Sequence, residues 1–222
     1  MDYKKFKAFE KKALDTVYSE PVGGFHDVLI PDIIQQFLSK FDLDPQCKIL
    51  DIGCGPGVFI KSAQSMGYNN VTGVTLSTQD VDACTEQGFA VLHASMTDLP
   101  VADASVDFIW CRHALEHSPY PLFTLFEFYR VLKPTGQIFI EVPAPGNERV
   151  HMHEFNPNHY SILGDRMWYG LFDKANFELL EHWVYDIDLP LDQKIVNEKS
   201  FMFALRRRDL KKGLPNLPWA SS

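Results

Sequence analysis

The chain lacks the features that mark secreted and membrane proteins. Its four cysteines, at positions 47, 54, 84 and 111, include no Cys-x-x-Cys pair, which suits reduced thiols in a cytosolic protein better than a disulfide framework. The first residues, MDYKKFKAFEKK, contain no apolar core of the signal-peptide type. No apolar stretch approaches the length of a membrane span. We therefore expect a cytoplasmic protein without a membrane-spanning segment.

Basic residues are also scarce. The chain has 21 Lys and Arg against 29 Asp and Glu, which gives a formal net charge of −8. Such a balance argues against a protein that mainly coats nucleic acid. The densest basic run, Arg206–Arg208, follows a strand-like segment and is typical of a solvated strand end. The sequence contains no internal repeat and no low-complexity tract.

Short apolar runs alternate with helical segments from Lys48 onwards, and this alternation is typical of a parallel sheet. The last two runs are joined without an obvious helix, so they predict an antiparallel hairpin at one edge. We therefore expect an α/β fold with a doubly wound, mostly parallel seven-stranded sheet, an antiparallel edge strand and helices on both faces. The predicted strands are 48–52, 71–75, 89–93, 106–111, 137–142, 177–186 and 199–207.

Two amphipathic helices are predicted before the sheet. Apolar residues recur at helical spacing over residues 2–19, and Pro31 is expected to open the second helix. Phe9, in the first helix, is expected to complete the core. We expect residues 1–44 to form a helical cap, residues 45–210 a sheet domain with the ligand site, and residues 211–222 a tail.

A glycine-rich loop follows the first predicted strand, at the edge where open parallel sheets bind their ligands. Its sequence is Gly53-Cys-Gly-Pro-Gly57, and glycines let the backbone approach a ligand closely. A dinucleotide loop needs Gly or Ala at the sixth position, which here is Val58. Asp51, two residues before the loop, would repel a pyrophosphate but attract an ammonium group. The loop therefore favours a positively charged ligand, which disfavours a nicotinamide dehydrogenase.

Residues 49–57, ILDIGCGPG, resemble motif I of the class I methyltransferases that use S-adenosylmethionine (SAM). Residues 98–117 and 125–143 resemble later motifs of the same family. The resemblance implies that the glycine loop lines the methionine part of SAM and that Asp51 supports its amino group. The full set of cofactor-binding residues expected from the resemblance is Asp51, Gly53, Cys54, Gly55, Thr75, Leu76, Ser95, Met96 and Arg112.

Two positions depart from the family pattern. Thr75 stands where an acidic residue usually holds the ribose, and Ser95 stands where the family often has an aspartate beside the adenine. The Thr-Leu-Ser at 75–77 resembles the cyclopropane fatty acid synthase branch, which also uses SAM. We therefore expect weaker SAM affinity than in a relative with both acids.

Five of the eight histidines fall after the fourth and fifth predicted strands. A hydroxyl or ammonium acceptor must lose a proton during methylation, and histidine titrates in the required range. The candidate bases are His117, His113 and His153. The loop His151-Met-His-Glu154, with His159, also offers metal ligands, but we expect it to form an acceptor-binding lid without a metal.

The sequence thus predicts a SAM-dependent methyltransferase that acts on an oxygen or nitrogen of a small polar molecule and releases S-adenosylhomocysteine. Carbon or sulfur methylation, including cyclopropane-type chemistry on lipids, stays open, as does protein methylation. A non-catalytic SAM-binding partner subunit is the alternative from outside enzymology. The expected partner is a small-molecule acceptor rather than nucleic acid, and a homodimer is left open.

Overall fold

The computed structural model describes residues 3–14, 25–146, 157–191 and 194–208. A short 3₁₀ helix, Leu115–His117, follows the fourth strand. The helices are α1 Tyr3–Ala13, α2 Phe25–Leu38, α3 Val58–Ser65, α4 Thr78–Glu86, α5 Pro121–Val131 and α6 Asp165–Lys174. The strands are β1 Ile49–Ile52, β2 Val71–Thr75, β3 Ala90–His93, β4 Val106–Arg112, β5 Leu132–Pro143, β6 Phe177–Leu191 and β7 Lys194–Arg207.

The seven strands form one sheet in the order β3-β2-β1-β4-β5-β7-β6. The first five strands are parallel to one another, and β7 runs antiparallel to both β5 and β6. The predicted α/β class, strand number and antiparallel hairpin at one edge are confirmed, with β7 lying just inside the edge strand β6. Strand order reverses between β1 and β4, so a crevice opens at the carboxyl ends of these two strands.

Both faces of the sheet are covered by helices, as predicted. Successive residues of a strand point to opposite faces, so β4 sends Phe108 and Trp110 into one apolar layer and Ile109 into the other. The first layer contains side chains of α2 and α3, and the second contains side chains of α5 and α6. In the first layer, Trp110 stacks between Phe59 and Phe139, with ring centroids 4.7 and 4.1 Å away. This packing fixes the central strands that carry the crevice.

The N-terminal helices differ in detail from the prediction. Pro31 does not open α2, because the helix begins at Phe25 and contains the proline. Proline inside a helix removes one backbone hydrogen bond and costs about 3 kcal/mol, so packing has to stabilise the helix around Pro31. The buried side chains of Ile34 and Phe37 pack α2 against the sheet. Helix α1 ends at Ala13, and Leu14 of the predicted helix 2–19 is not part of it. Residues 2 and 15–19 of that prediction lie outside the described residues.

The expectation that Phe9 completes the core is wrong, since this side chain is 55% exposed. Its ring lies against Tyr120, with centroids 6.2 Å apart.

The cysteines at 47, 54, 84 and 111 are all buried and unbridged. Within the part of the chain that the structure describes, no helix is long and apolar enough to cross a membrane.

Candidate functional site

A cavity of about 260 Å³ opens at the carboxyl ends of the central strands. Its lining contains eight of the nine residues expected to bind the cofactor, namely Asp51, Gly53, Cys54, Gly55, Thr75, Leu76, Met96 and Arg112. It also contains His113 and His117. Ser95 is not part of the lining, and its hydroxyl lies 2.6 Å from that of Thr97. His153 lies outside the described residues, as do His151 and Glu154.

The glycine loop turns sharply beneath this cavity. Gly53 has a φ of 73°, in the left-handed region that side chains disfavour. A Cβ on this residue would lie 2.7 Å from the Cβ of Ala114. The backbone N–H groups of Gly53 and Cys54 both donate to the carbonyl of Val74, at 2.9 and 3.2 Å. The turn therefore requires glycine, and it ties the loop to the end of β2.

Asp51 lies at the base of the cavity, and no cationic side chain of the described residues neutralises it. Its side chain is 3% exposed, and its Oδ2 has no hydrogen-bond partner among the described residues. Burial alone raises the pKa of the Asp51 carboxyl to about 8. A ligand that brought an ammonium group into the cavity would supply the missing positive charge. The residues of the cavity therefore fit the amino group of SAM.

Asp80 is a cavity residue that sequence reasoning missed. Ser77 caps α4 by accepting a hydrogen bond from the Asp80 N–H at 3.2 Å, which places Asp80 in the first turn. The Thr75 hydroxyl donates to Oδ2 of Asp80 at 3.3 Å. Both side chains are buried in the cavity wall. A carboxylate thus lies beside the position where the family's acidic residue is missing. The only sequence signal is an acid three residues after a helix-capping serine.

Four charged side chains form a cluster behind the cavity. The Arg112 Nε lies 2.6 Å from Glu141 Oε2, and His113 Nε2 lies 3.2 Å from Glu141 Oε1. His113 Nδ1 lies 3.4 Å from Glu116 Oε1. Burial lowers the pKa of His113, but the two carboxylates outweigh it and raise this pKa to about 10. Burial raises the pKa of Glu141, but Arg112 and His113 outweigh it and lower this pKa to about 2. The cluster is therefore a set of compensated charges.

His117 is held by the backbone of the segment that follows β5. Its Nδ1 lies 3.0 Å from the carbonyl oxygen of Asn158. Since a carbonyl can only accept, Nδ1 carries the proton and Nε2 carries the lone pair in the neutral ring. The backbone N–H groups of Tyr160 and Ser161 donate to the Glu116 carbonyl at 2.8 and 3.1 Å. The 3₁₀ helix and residues 158–161 are therefore fixed to each other at the cavity wall.

Helix α1 closes one side of the cavity, where Ala13 and Leu14 contribute to the lining. The Tyr160 hydroxyl donates to the carbonyl of Ala13 at 2.6 Å. One turn earlier in the helix, Glu10 accepts a hydrogen bond from the Thr97 hydroxyl at 2.6 Å. The C-terminal half of the helix is thus attached to Tyr160 in the cavity wall and to Thr97, the residue after Met96 of the lining.

Comparison with known proteins agrees with this geometry. Residues 50–140 match a family model described as a methyltransferase domain. The chain is 31% identical to a 27-O-demethylrifamycin SV methyltransferase of Amycolatopsis mediterranei, over 44% of this chain and 40% of the relative. It is 32% identical to a ubiquinone biosynthesis O-methyltransferase of Pseudomonas aeruginosa, over 42% of this chain and 43% of the relative. The matches thus span less than half the length of each of these two relatives.

The fold is similar to that of a SAM-dependent methyltransferase from Archaeoglobus fulgidus. The TM-score is 0.66 at 18% identity, and the match covers 93% of this chain and all of that one. This likeness shows the fold, and the family match shows which domain the fold carries. Residues 50–140 thus match a methyltransferase domain, and the fold around them is similar to that of a SAM-dependent methyltransferase.

Proposed function

We propose that this chain transfers a methyl group from SAM to an oxygen or nitrogen of a small polar molecule and releases S-adenosylhomocysteine. The observation that carries the proposal is the buried, uncompensated carboxylate of Asp51 beside a loop that only glycine can form. SAM supplies an electrophilic methyl group on a positively charged sulfur. The remaining work of the protein is to hold this donor, orient the acceptor and remove its proton.

The residues of the cavity divide into those that hold the donor and those that meet the acceptor. Asp51 accepts hydrogen bonds from the donor's ammonium group, and the backbone of the glycine loop faces its methionine part. Asp80, with Thr75, takes the place of the missing ribose acid. Met96 packs against the adenine. The resemblance to the methyltransferase motifs suggests these assignments, and the presence of all four side chains in the cavity lining supports them.

His117 is the candidate base at the acceptor end. The hydrogen bond from its Nδ1 to the Asn158 carbonyl leaves a lone pair on Nε2, which can take the acceptor's proton. His113 is a poor candidate because a carboxylate lies beside each of its ring nitrogens. We propose that His113 instead shapes the end of the cavity that receives the acceptor. The names of the two curated relatives include O-demethylrifamycin and O-methyltransferase, which supports oxygen as the acceptor atom.

The test is SAM turnover with a panel of small hydroxyl, carboxyl and amine compounds, read by mass spectrometry of S-adenosylhomocysteine and of the methylated product. We expect S-adenosylhomocysteine to form only when an acceptor is present, and to do so far more slowly in Asp51→Asn. Asp186→Asn, which changes an exposed residue of the edge hairpin, is the matched control. Binding of SAM without turnover on any acceptor would favour the non-catalytic partner subunit, and no binding would refute the proposal.

A further inference from the structure

Two imidazoles and a carboxylate come together at the acceptor end of the cavity. Glu116, His117 and His159 each offer one ligand atom, and these three atoms lie within 4.8 Å of one another. An ion placed among them would need each ligand to move by at most about 0.7 Å to reach the 2.0–2.2 Å bonds of a protein-bound zinc ion. These ligands differ from the ones that the sequence suggested. His159 was grouped there with His151–Glu154, whereas in the structure it lies beside Glu116 and His117.

The contacts behind these residues are those that metal ligands usually have. A metal-binding histidine commonly donates its other ring N–H to a backbone carbonyl. His117 does so through Nδ1 to Asn158, 3.0 Å away, so its Nε2 is the ring nitrogen that would face a metal. Ligating carboxylates are themselves hydrogen-bonded, and His113 Nδ1 lies 3.4 Å from one oxygen of Glu116. Both outer contacts therefore orient the ligands.

The charge of Glu116 is balanced by His113, but one of its two carboxylate oxygens could still take a further ligand. Its side chain is 1% exposed, and its Oε2 has no hydrogen-bond donor among the described residues. A buried carboxylate loses its hydration, which costs several kcal/mol unless charges and donors satisfy both oxygens. His113 lies close to only one of the two oxygens. A metal ion at the cluster would satisfy the carboxylate.

We propose that Glu116, His117 and His159 bind one divalent first-row transition-metal ion, and that this ion takes an oxygen of the methyl acceptor as a further ligand. Imidazole and carboxylate ligands suit such ions, and three protein ligands leave coordination positions open. His117 and Asn158 both line the cavity, so the site borders the space for the acceptor. A bound ion lowers the pKa of a coordinated hydroxyl, which would release its proton to solvent and attack the methyl carbon of SAM as S-adenosylhomocysteine leaves. His117 then acts as a ligand, and the ion replaces it as the group that activates the acceptor.

This inference rests on the proposed function, and it narrows the acceptor to a molecule with an oxygen that can bind a metal. The test uses the full chain, stripped of metal with a chelator and then titrated with Co²⁺ alone, which reports its ligands by visible absorption. We expect one equivalent to bind. His159→Asn should bind at least about tenfold more weakly, which is the lower end of the loss seen when a mere supporting residue is removed.

His182→Asn is the matched control, because His182 bonds Tyr169 away from the cluster, and it should bind Co²⁺ like the unchanged chain. X-ray absorption of the zinc-loaded, unchanged chain gives a second reading that needs no variant, and it should show two imidazoles and oxygen ligands. Absence of stoichiometric binding, or equal binding by His159→Asn, overturns the metal site. Metal binding is measured without SAM, so failure here beside normal SAM binding refutes the metal site alone.

Discussion

Replacing Asp51 with asparagine should stabilise the ligand-free protein and weaken SAM binding at the same time. The carboxyl of Asp51 has its pKa raised by burial from 3.8 to about 8. A raised pKa means that the folded chain holds a proton that the unfolded chain releases between these two pH values. At pH 7 the difference corresponds to about 4 kcal/mol against folding, at 1.36 kcal/mol per pH unit. This penalty grows as the pH rises towards 8.

Asparagine keeps the shape of the side chain but does not titrate, so it removes the penalty. A buried amide without partners costs about 1–3 kcal/mol, which leaves a net gain of about 1–3 kcal/mol at pH 7. In a chain of this size that gain raises Tm by several degrees. The loss of a hydrogen bond to a charged group costs about 1.5–3 kcal/mol. SAM should therefore bind Asp51→Asn about 10- to 150-fold more weakly.

The assay pairs urea unfolding of the ligand-free chain at pH 5.5 and 8 with calorimetric titration of SAM. The stability gain of Asp51→Asn should be larger at pH 8 than at pH 5.5, because the unchanged chain is penalised more at the higher pH. Glu178→Gln, which alters an exposed ion pair with Arg206, is a control for the general effect of removing a carboxylate. A destabilised Asp51→Asn with unchanged SAM affinity would refute the reasoning.

Three further substitutions test the site. Gly53→Ala should lower the free energy of unfolding by about 1–3 kcal/mol and weaken SAM binding, because φ at Gly53 is 73° and the added Cβ would lie 2.7 Å from the Cβ of Ala114. Gly88→Ala is the control in urea unfolding, because Gly88 has a φ of 76° but no atom within 4 Å of an added Cβ. Asp80→Asn should weaken SAM binding about ten- to hundredfold in calorimetry, and unchanged affinity would separate Asp80 from the ribose. Glu141→Gln should destabilise the chain by about 3–5 kcal/mol in urea, because it removes the carboxylate that neutralises His113 and the largely buried Arg112. A loss below about 1 kcal/mol would contradict that role.

The sheet could be predicted because parallel strands covered on both faces are continuous apolar runs. All four residues of β1 are buried, and its sequence, ILDI, shows this except for one acid. Asp51 and the glycines after it are close together in the chain, so the glycine loop could be predicted from the sequence. The start of β5 was not predicted, because the predicted strand begins at residue 137 and leaves out residues 132–136. They lie within the strand, at a shift in its register with β4.

The acceptor end could not be predicted in the same way, because its residues meet only through long-range packing. His159 joins Glu116 and His117 because backbone hydrogen bonds tie residues 160–161 to the 3₁₀ helix. Glu141 lies in the apolar run IFIEVP, where a single acid indicates a buried charge. The sequence does not show which residues neutralise this charge. The expected weakness of SAM binding stays a prediction, and Asp80 now gives a physical reason why the missing ribose acid matters less.

We expect Asp51 and the glycine loop to bind SAM, and calorimetric titration of the unchanged chain with SAM tests this directly. We predict one SAM per chain, competition by S-adenosylhomocysteine, and release of a proton on binding at pH 7, because the ammonium group lowers the pKa of Asp51 from about 8. Repeating the titration in buffers of different ionisation enthalpy measures that proton. No binding of SAM, or binding without proton release, would contradict the account.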